Sequence, residues 1–191
     1  DDGTGLTDYT PGVGYYSGYN SDNIASYAEK FYTPDSIMLT GAVFHIGSIN
    51  TSAEGGITVT VNANNNGLPG SVLYEKYISY FKLDNTNPEP IAFHPFVNVK
   101  GTFFITYTLS YSTDDTFAVN QAAWRNTVYN SAFLKLPSGW APMNTVAPGG
   151  AGSALDIMAI GCKNVPIDTP AEPTAITLYP NPASSFLIAR L

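Results

Sequence analysis

The chain has 191 residues, 13% of them aromatic and only 12% charged, with a formal net charge of −7. The length suits one substantial domain with a short appendage, and a core of about 150 residues buries roughly 70% of the surface its unfolded chain exposes, so no disulfide or metal staple is required. The eight Lys and Arg are scattered singly, which excludes a phosphate-binding patch; no apolar run approaches the roughly 20 residues of a spanning helix; and one cysteine, Cys162, excludes an internal disulfide or a cysteine zinc cluster.

Thr, Tyr and Phe favour strands, while 17 Gly and 14 Pro punctuate turns, so the composition points to an all-β protein. Residues 1–13 are polar and Gly-rich, and the acidic start Asp1-Asp2-Gly3 lacks a signal-peptide pattern. A short strand is expected over Gly14 to Tyr19, followed by turn material at Asn20-Ser21-Asp22-Asn23. Ser26 to Thr33 alternates, with Tyr27, Glu29 and Phe31 against Ala28, Lys30 and Tyr32; Pro34-Asp35 is expected to end it. Ser36 to Ile49 is apolar on both faces and predicts a central strand, bent or bulged at Gly41.

Ile57, Val59 and Val61 against Thr58, Thr60 and Asn62 make the cleanest strand signal. Asn64-Asn65-Asn66-Gly67 and Pro69-Gly70 then turn the chain into a second strand, Ser71 to Tyr80. Ile91 to Val99 predicts a strand whose Pro95 confines it to an edge or a bulge. Gly101 is expected to turn the chain into Thr102–Tyr111, and a short strand is expected over Phe117 to Asn120. Ser131 to Leu136 with Ser138 to Trp140 reads as a hairpin, and Ala154 to Cys162 as a closing strand, Cys162 being a buried structural thiol. Nine or ten short strands without helical periodicity predict an all-β, jelly-roll-like antiparallel β-sandwich over residues 1–162. Residues 163–175, with three prolines, form a linker, and strand-like residues resume over 176–191.

After that linker, Leu178-Tyr179-Pro180-Asn181-Pro182-Ala183 closely resembles the start of the C-terminal sorting domain of type IX secretion in Bacteroidetes. The resemblance covers residues 176–191, about the first strand of that domain, and the later part of the family's pattern is absent. Gly14 to Ser21, Ala28 to Phe31 and Asn66-Gly67-Leu68-Pro69-Gly70 are similar to β-sandwich modules of unknown function found upstream of such domains. The resemblance implies a secreted or outer-cell-surface address, with Tyr179, Pro180, Asn181 and Pro182 as the sorting motif. It implies no active site.

Chemistry is sparse. His45 and His94 carry no HExxH pattern and no G-x-S-x-G elbow is present, so both are expected to be structural or surface residues. No strand places two acids on one face, as a glycosidase would require within its cleft, and Glu29 and Glu75 are expected to face solvent. Asp22, Asn23, Asp114 and Asp115 form the dense oxygen clusters that could hold a structural calcium, although such residues also form turns by default. Trp124, Trp140 and Tyr129 could stack on sugar rings or simply pack in the core. The expectation is a non-catalytic binding or adhesion module for carbohydrate or protein, needing no cofactor beyond such a calcium. An accessory domain of a secreted glycosidase or peptidase and a structural spacer are its rivals. Oligomeric state is not legible in the sequence.

Overall fold

The computed structural model describes residues 8–10, 14–50, 55–86, 88, 90–110, 116–122, 130–146 and 154–163. In chain order the strands are β1 (Asp8–Thr10), β2 (Gly14–Tyr15), β3 (Ser26–Phe44), β4 (Ile46–Asn50), β5 (Gly56–Asn65), β6 (Leu68–Ser79), β7 (Ile91–Leu109), β8 (Thr116–Val119), β9 (Gln121–Ala122), β10 (Ala132–Leu136), β11 (Gly139–Pro142), β12 (Ala154–Leu155) and β13 (Ile157–Lys163). A 3₁₀ turn, Tyr80–Lys82, follows β6, and a one-turn helix, Met143–Val146, follows β11.

The architecture rests on one antiparallel ladder, β3 against β7, each 19 residues long. Two bulges bend it. Thr33 faces Gly101 and Ile37 faces Val99, so residues 34–36 of β3 stand against Lys100 alone. Further on, Leu39 faces Val97 and Gly41 faces Ala92, so residues 93–96 of β7 loop out opposite Thr40. Extra residues on one strand bend it and raise the local twist, and the ladder therefore curls over itself. Its two halves acquire different neighbours. Ser26–Thr33 and Gly101–Leu109 lie in the order β11-β10-β3-β7-β5-β6, whereas the second half of β3 pairs with β13 on its other side. Two short antiparallel pairs, β4–β8 and β9–β12, form further small sheets. The result is an all-β, sandwich-like fold.

The curl places the period-two faces of its strands around one core. Tyr27, Phe31, Ile37 and Leu39 of β3 meet Phe93, Phe103, Ile105 and Tyr107 of β7, Val59 and Val61 of β5, and Phe117 of β8. Stacked pairs Phe31–Phe103 and Tyr27–Tyr107 sit 5.4 and 5.1 Å apart between ring centroids. Full burial of each such side chain contributes about 1.5–3 kcal/mol. A second, smaller cluster of Ala28, Phe104 and Phe133 occupies the opposite face of the main sheet.

Several sequence expectations change here. Pro34-Asp35 and Gly101 do not end strands. The partner strand continues past each, and Gly101, at φ +72, accommodates the bend that Pro34–Ser36 make on β3. Asn66 and Gly67, both at positive φ, form the tight hairpin turn, and β6 resumes at Leu68, so Pro69-Gly70 lies within the strand. Pro95 sits in the β7 bulge, as a strand proline should. Gly41 is needed for close approach: an added Cβ would stand 2.7 Å from the Ile91 carbonyl oxygen. The closing strand breaks at Asp156 and runs through Lys163, with Cys162 half-buried rather than enclosed.

Candidate functional site

The curl leaves one side of the fold open. β6 is the last strand of its sheet, and its core-facing side meets the beginning of β7 with no ladder pairing between them among the described residues. Side chains bridge the gap instead. Lys76 Nζ donates to the Ala92 carbonyl at 2.8 Å, and the Tyr74 hydroxyl accepts the His94 N–H at 3.1 Å while its ring lies 4.9 Å from that of Phe93.

Beyond these bridges a cleft of ≈ 810 Å³ opens between Lys76–Ser79, the 3₁₀ turn with the segment after it, and Pro90–Ala92. That size falls in the usual range for small-ligand sites. The end of β3 and the start of β4 contribute Phe44 and Ile46, which with Ile78 and Ile91 make an apolar lining. Tyr77, Lys82 and Asp84 add polar groups. The alternation of β6 sends Ile78 into the core beside the cleft, while Glu75 and Tyr77 turn to the opposite face of the strand. Tyr77 is 54% exposed, and its ring tip lies against Gly56, where an added Cβ would come within 2.7 Å of the ring. Phe81, next to Lys82, is 73% exposed. An apolar floor rimmed by charged residues can hold an amphipathic ligand.

Two other polar constellations lie on the closed side of the molecule. Glu29 shares the core-facing side of β3 with Tyr27 and Phe31, which corrects its expected solvent-facing position: it is 0% exposed. Its Oε2 accepts the Leu155 N–H at 2.7 Å. Burial pushes its carboxyl up from 4.5 to about 8, against the lowering pull of hydrogen bonds from Ser131 and Leu155, and the Asp156 charge adds to the rise. His45, Asn120 and Asp156 each mark a strand break and close a ring of backbone bonds: His45 N to Asp156 O at 3.0 Å, Asn120 N to His45 O at 2.8 Å, Asp156 N to Asn120 O at 2.7 Å. His45 Nδ1 also meets Asp156 Oδ1 at 2.8 Å. That hydrogen bond raises the imidazole above its ordinary 6.5. The pair spans 111 positions of the chain, which is why no local motif announces it. Glu29 and Asp156 influence one another, yet Glu29 is closed to solvent, so together they do not make the cleft-borne acid pair that glycoside hydrolysis needs.

The residues singled out from the sequence are not gathered into the cleft. Trp140 is half-buried against the Ala28–Phe104–Phe133 cluster, with Lys135 Nζ 5.9 Å from its ring centroid. Trp124, Tyr129, Asp114, Asp115, Tyr179, Pro180, Asn181 and Pro182 lie outside the described residues. Asp22 and Asn23 are exposed at a loop tip, Asn23 at φ +55. The loop's organising residue is Asn20, whose buried carboxamide accepts the N–H groups of Asp22 and Ile24 and donates to Gly18 and Tyr27. Among the described residues no three His, Cys, Asp or Glu side chains converge as a metal site. Nor, among them, is any helix long and apolar enough to cross a membrane. Tyr77, Lys82 and Phe44 were legible only as strand and turn residues, because the cleft exists only once the ladder has curled.

No family model, no curated protein and no solved structure matches this chain.

Proposed function

We propose that the protein is a non-catalytic binding or adhesion module, secreted or held at the outer cell surface, whose ligand is carbohydrate or protein. The observation that carries this reading is the cleft at the open side of the sandwich, with Lys76 and Lys82 beside an apolar lining of Phe44, Ile46, Ile78 and Ile91. The closed position of Glu29 supports a binding role over hydrolysis. The address rests on the Leu178–Ala183 resemblance to the type IX sorting domain. A glycan and cell-surface-protein binding screen, run with and without added calcium, tests the reading. Binding by the native chain that falls at least tenfold in Lys82→Glu, at the exposed rim of the cleft, supports it. Absence of binding across the panel moves the protein to the spacer class, and turnover of a panel member makes it a hydrolase component.

A further inference from the structure

The closed side of the fold has a weak joint. β12 is two residues long and pairs with the two residues of β9, Ala154 with Ala122 and Leu155 with Gln121. Two buried polar side chains flank this short ladder. Glu29, 0% exposed, accepts the Leu155 N–H on Oε2 at 2.7 Å. Gln121 is 3% exposed, and neither the nitrogen nor the oxygen of its carboxamide has a hydrogen-bond partner among the described residues. A buried amide without partners costs free energy that contact with water returns, so the pair is inexpensive to open.

The next residue brings a second carboxyl into the same corner. Asp156 Oδ1 meets His45 Nδ1 at 2.8 Å, and backbone bonds tie Asp156 to His45 and Asn120. Glu29 feels Lys30 from its own strand and Asp156 from the break after β12, accepts hydrogen bonds from Ser131 and Leu155, and has Ile105 of β7 opposite it; Asp156 is the charge that acts on His45. With Glu29 protonated and His45 charged, the imidazolium answers the Asp156 charge. Once both have lost a proton, successive residues of the chain, Leu155 and Asp156, are tied to a corner with two carboxylates and no imidazolium, while the Lys30 ammonium lies over the Phe133 ring on the opposite face of the sheet. We propose that β12 is a proton-controlled gate: loss of the Glu29 proton detaches Ala154 and Leu155 from β9 and opens this corner to water while the β3–β7 ladder stays folded.

The closed corner keeps the Glu29 proton up to about pH 8, whereas a hydrated carboxyl keeps it only to about 4.5. Opening therefore releases one proton across that window; it is least favourable below 4.5, grows about tenfold per pH unit, and levels off near 8. The His45–Asp156 pairing fades in the same direction above 6.5 and adds to the rise. The chemistry of the gate does not depend on what the cleft binds.

Hydrogen exchange of the Leu155 amide in the whole chain, followed by NMR from about pH 5 to about pH 9 and corrected for intrinsic rates, tests the gate. Buried Val59 of β5 serves as the reference for global unfolding. Leu155 is expected to be at least about tenfold less protected than Val59 throughout, and to lose about tenfold in protection per pH unit until the fall levels off near 8. In Glu29→Gln, which has no proton to lose, only the shallower fall due to His45 should remain. Equal protection of Leu155 and Val59 overturns the gate, because the corner then opens only with the whole fold. Protection of Leu155 that stays level with pH in the native chain overturns it too, as does an undiminished slope in folded Glu29→Gln. If Glu29→Gln does not fold, the two native profiles decide the question by themselves.

Discussion

The two halves of β3 do opposite things with the same kind of strand. In the first half, Tyr27, Glu29 and Phe31 point into a closed interior, and a carboxyl is trapped there without access to water. At the end of the second half, Phe44 forms part of an open cleft whose charged residues come from the β6 side. The difference lies in the neighbours. The first half is flanked by β10 and β7 and backed by β12 through the Leu155–Glu29 hydrogen bond, whereas the second half ends where β6 and β7 face each other unpaired. A polar group on the closed side acts on stability, and one on the open side is available to a ligand.

The strongest way to break this division is to damage the closed half. Phe31 is 1% exposed and stacked on Phe103, so Phe31→Ala should cost about 3–5 kcal/mol in a denaturant melt. Any ligand binding should fall only in proportion to the unfolded fraction. A loss of binding in fully folded Phe31→Ala would mean that the two halves are coupled.

The next effect is pH-dependent. Glu29 is raised in the folded chain, so the folded state holds a proton that the unfolded chain releases above about 4.5. Its favourable contribution is complete below that pH and is lost as pH rises towards about 8, a swing on the order of several kcal/mol. His45, also raised, has the same sign: the stability from its pairing with Asp156 is complete below 6.5 and fades as pH climbs through its folded value. Melting temperature should therefore decline from mildly acid to alkaline pH. Glu29→Gln keeps an acceptor for the Leu155 N–H without a titrating proton, so it should flatten most of this decline and melt higher than the native chain at alkaline pH. Parallel pH profiles for the two proteins would show that Glu29 is not the linked group.

The smallest change is expected on the open side. Lys82→Gln should alter stability by no more than about 0.5 kcal/mol, as surface substitutions do. A larger loss in a chemical melt would show that the cleft is a structural seam.

Individual residues show where sequence reading stopped. The alternation over Ile57–Asn62 identified β5 and its buried face directly, since strand geometry is local and a period of two is visible in any window. The same alternation put Glu29 beside Tyr27 and Phe31, and the true face was there to be read; the charge suggested water, and the surrounding aromatic residues prevailed. Pro34 and Gly101 were legible as disruptions, but not as the matched bend of one ladder, because each gains its meaning from the strand across from it. The His45–Asp156 pair and the cleft had no local signal at all.

What the sequence determined by itself was the all-β class, the hairpin at Asn66-Gly67 and the core-facing residues of the regular strands, since these follow from backbone preferences and period. Tertiary structure decided the rest: which strands merged, that a carboxyl would be buried, and that Phe44, Lys76 and Lys82 would line one cleft. Those outcomes depend on pairings between distant segments, and two bulges in the β3–β7 ladder set how far the sheet curls. With less curl, β6 and the beginning of β7 would not meet, and the chain would have no cleft there.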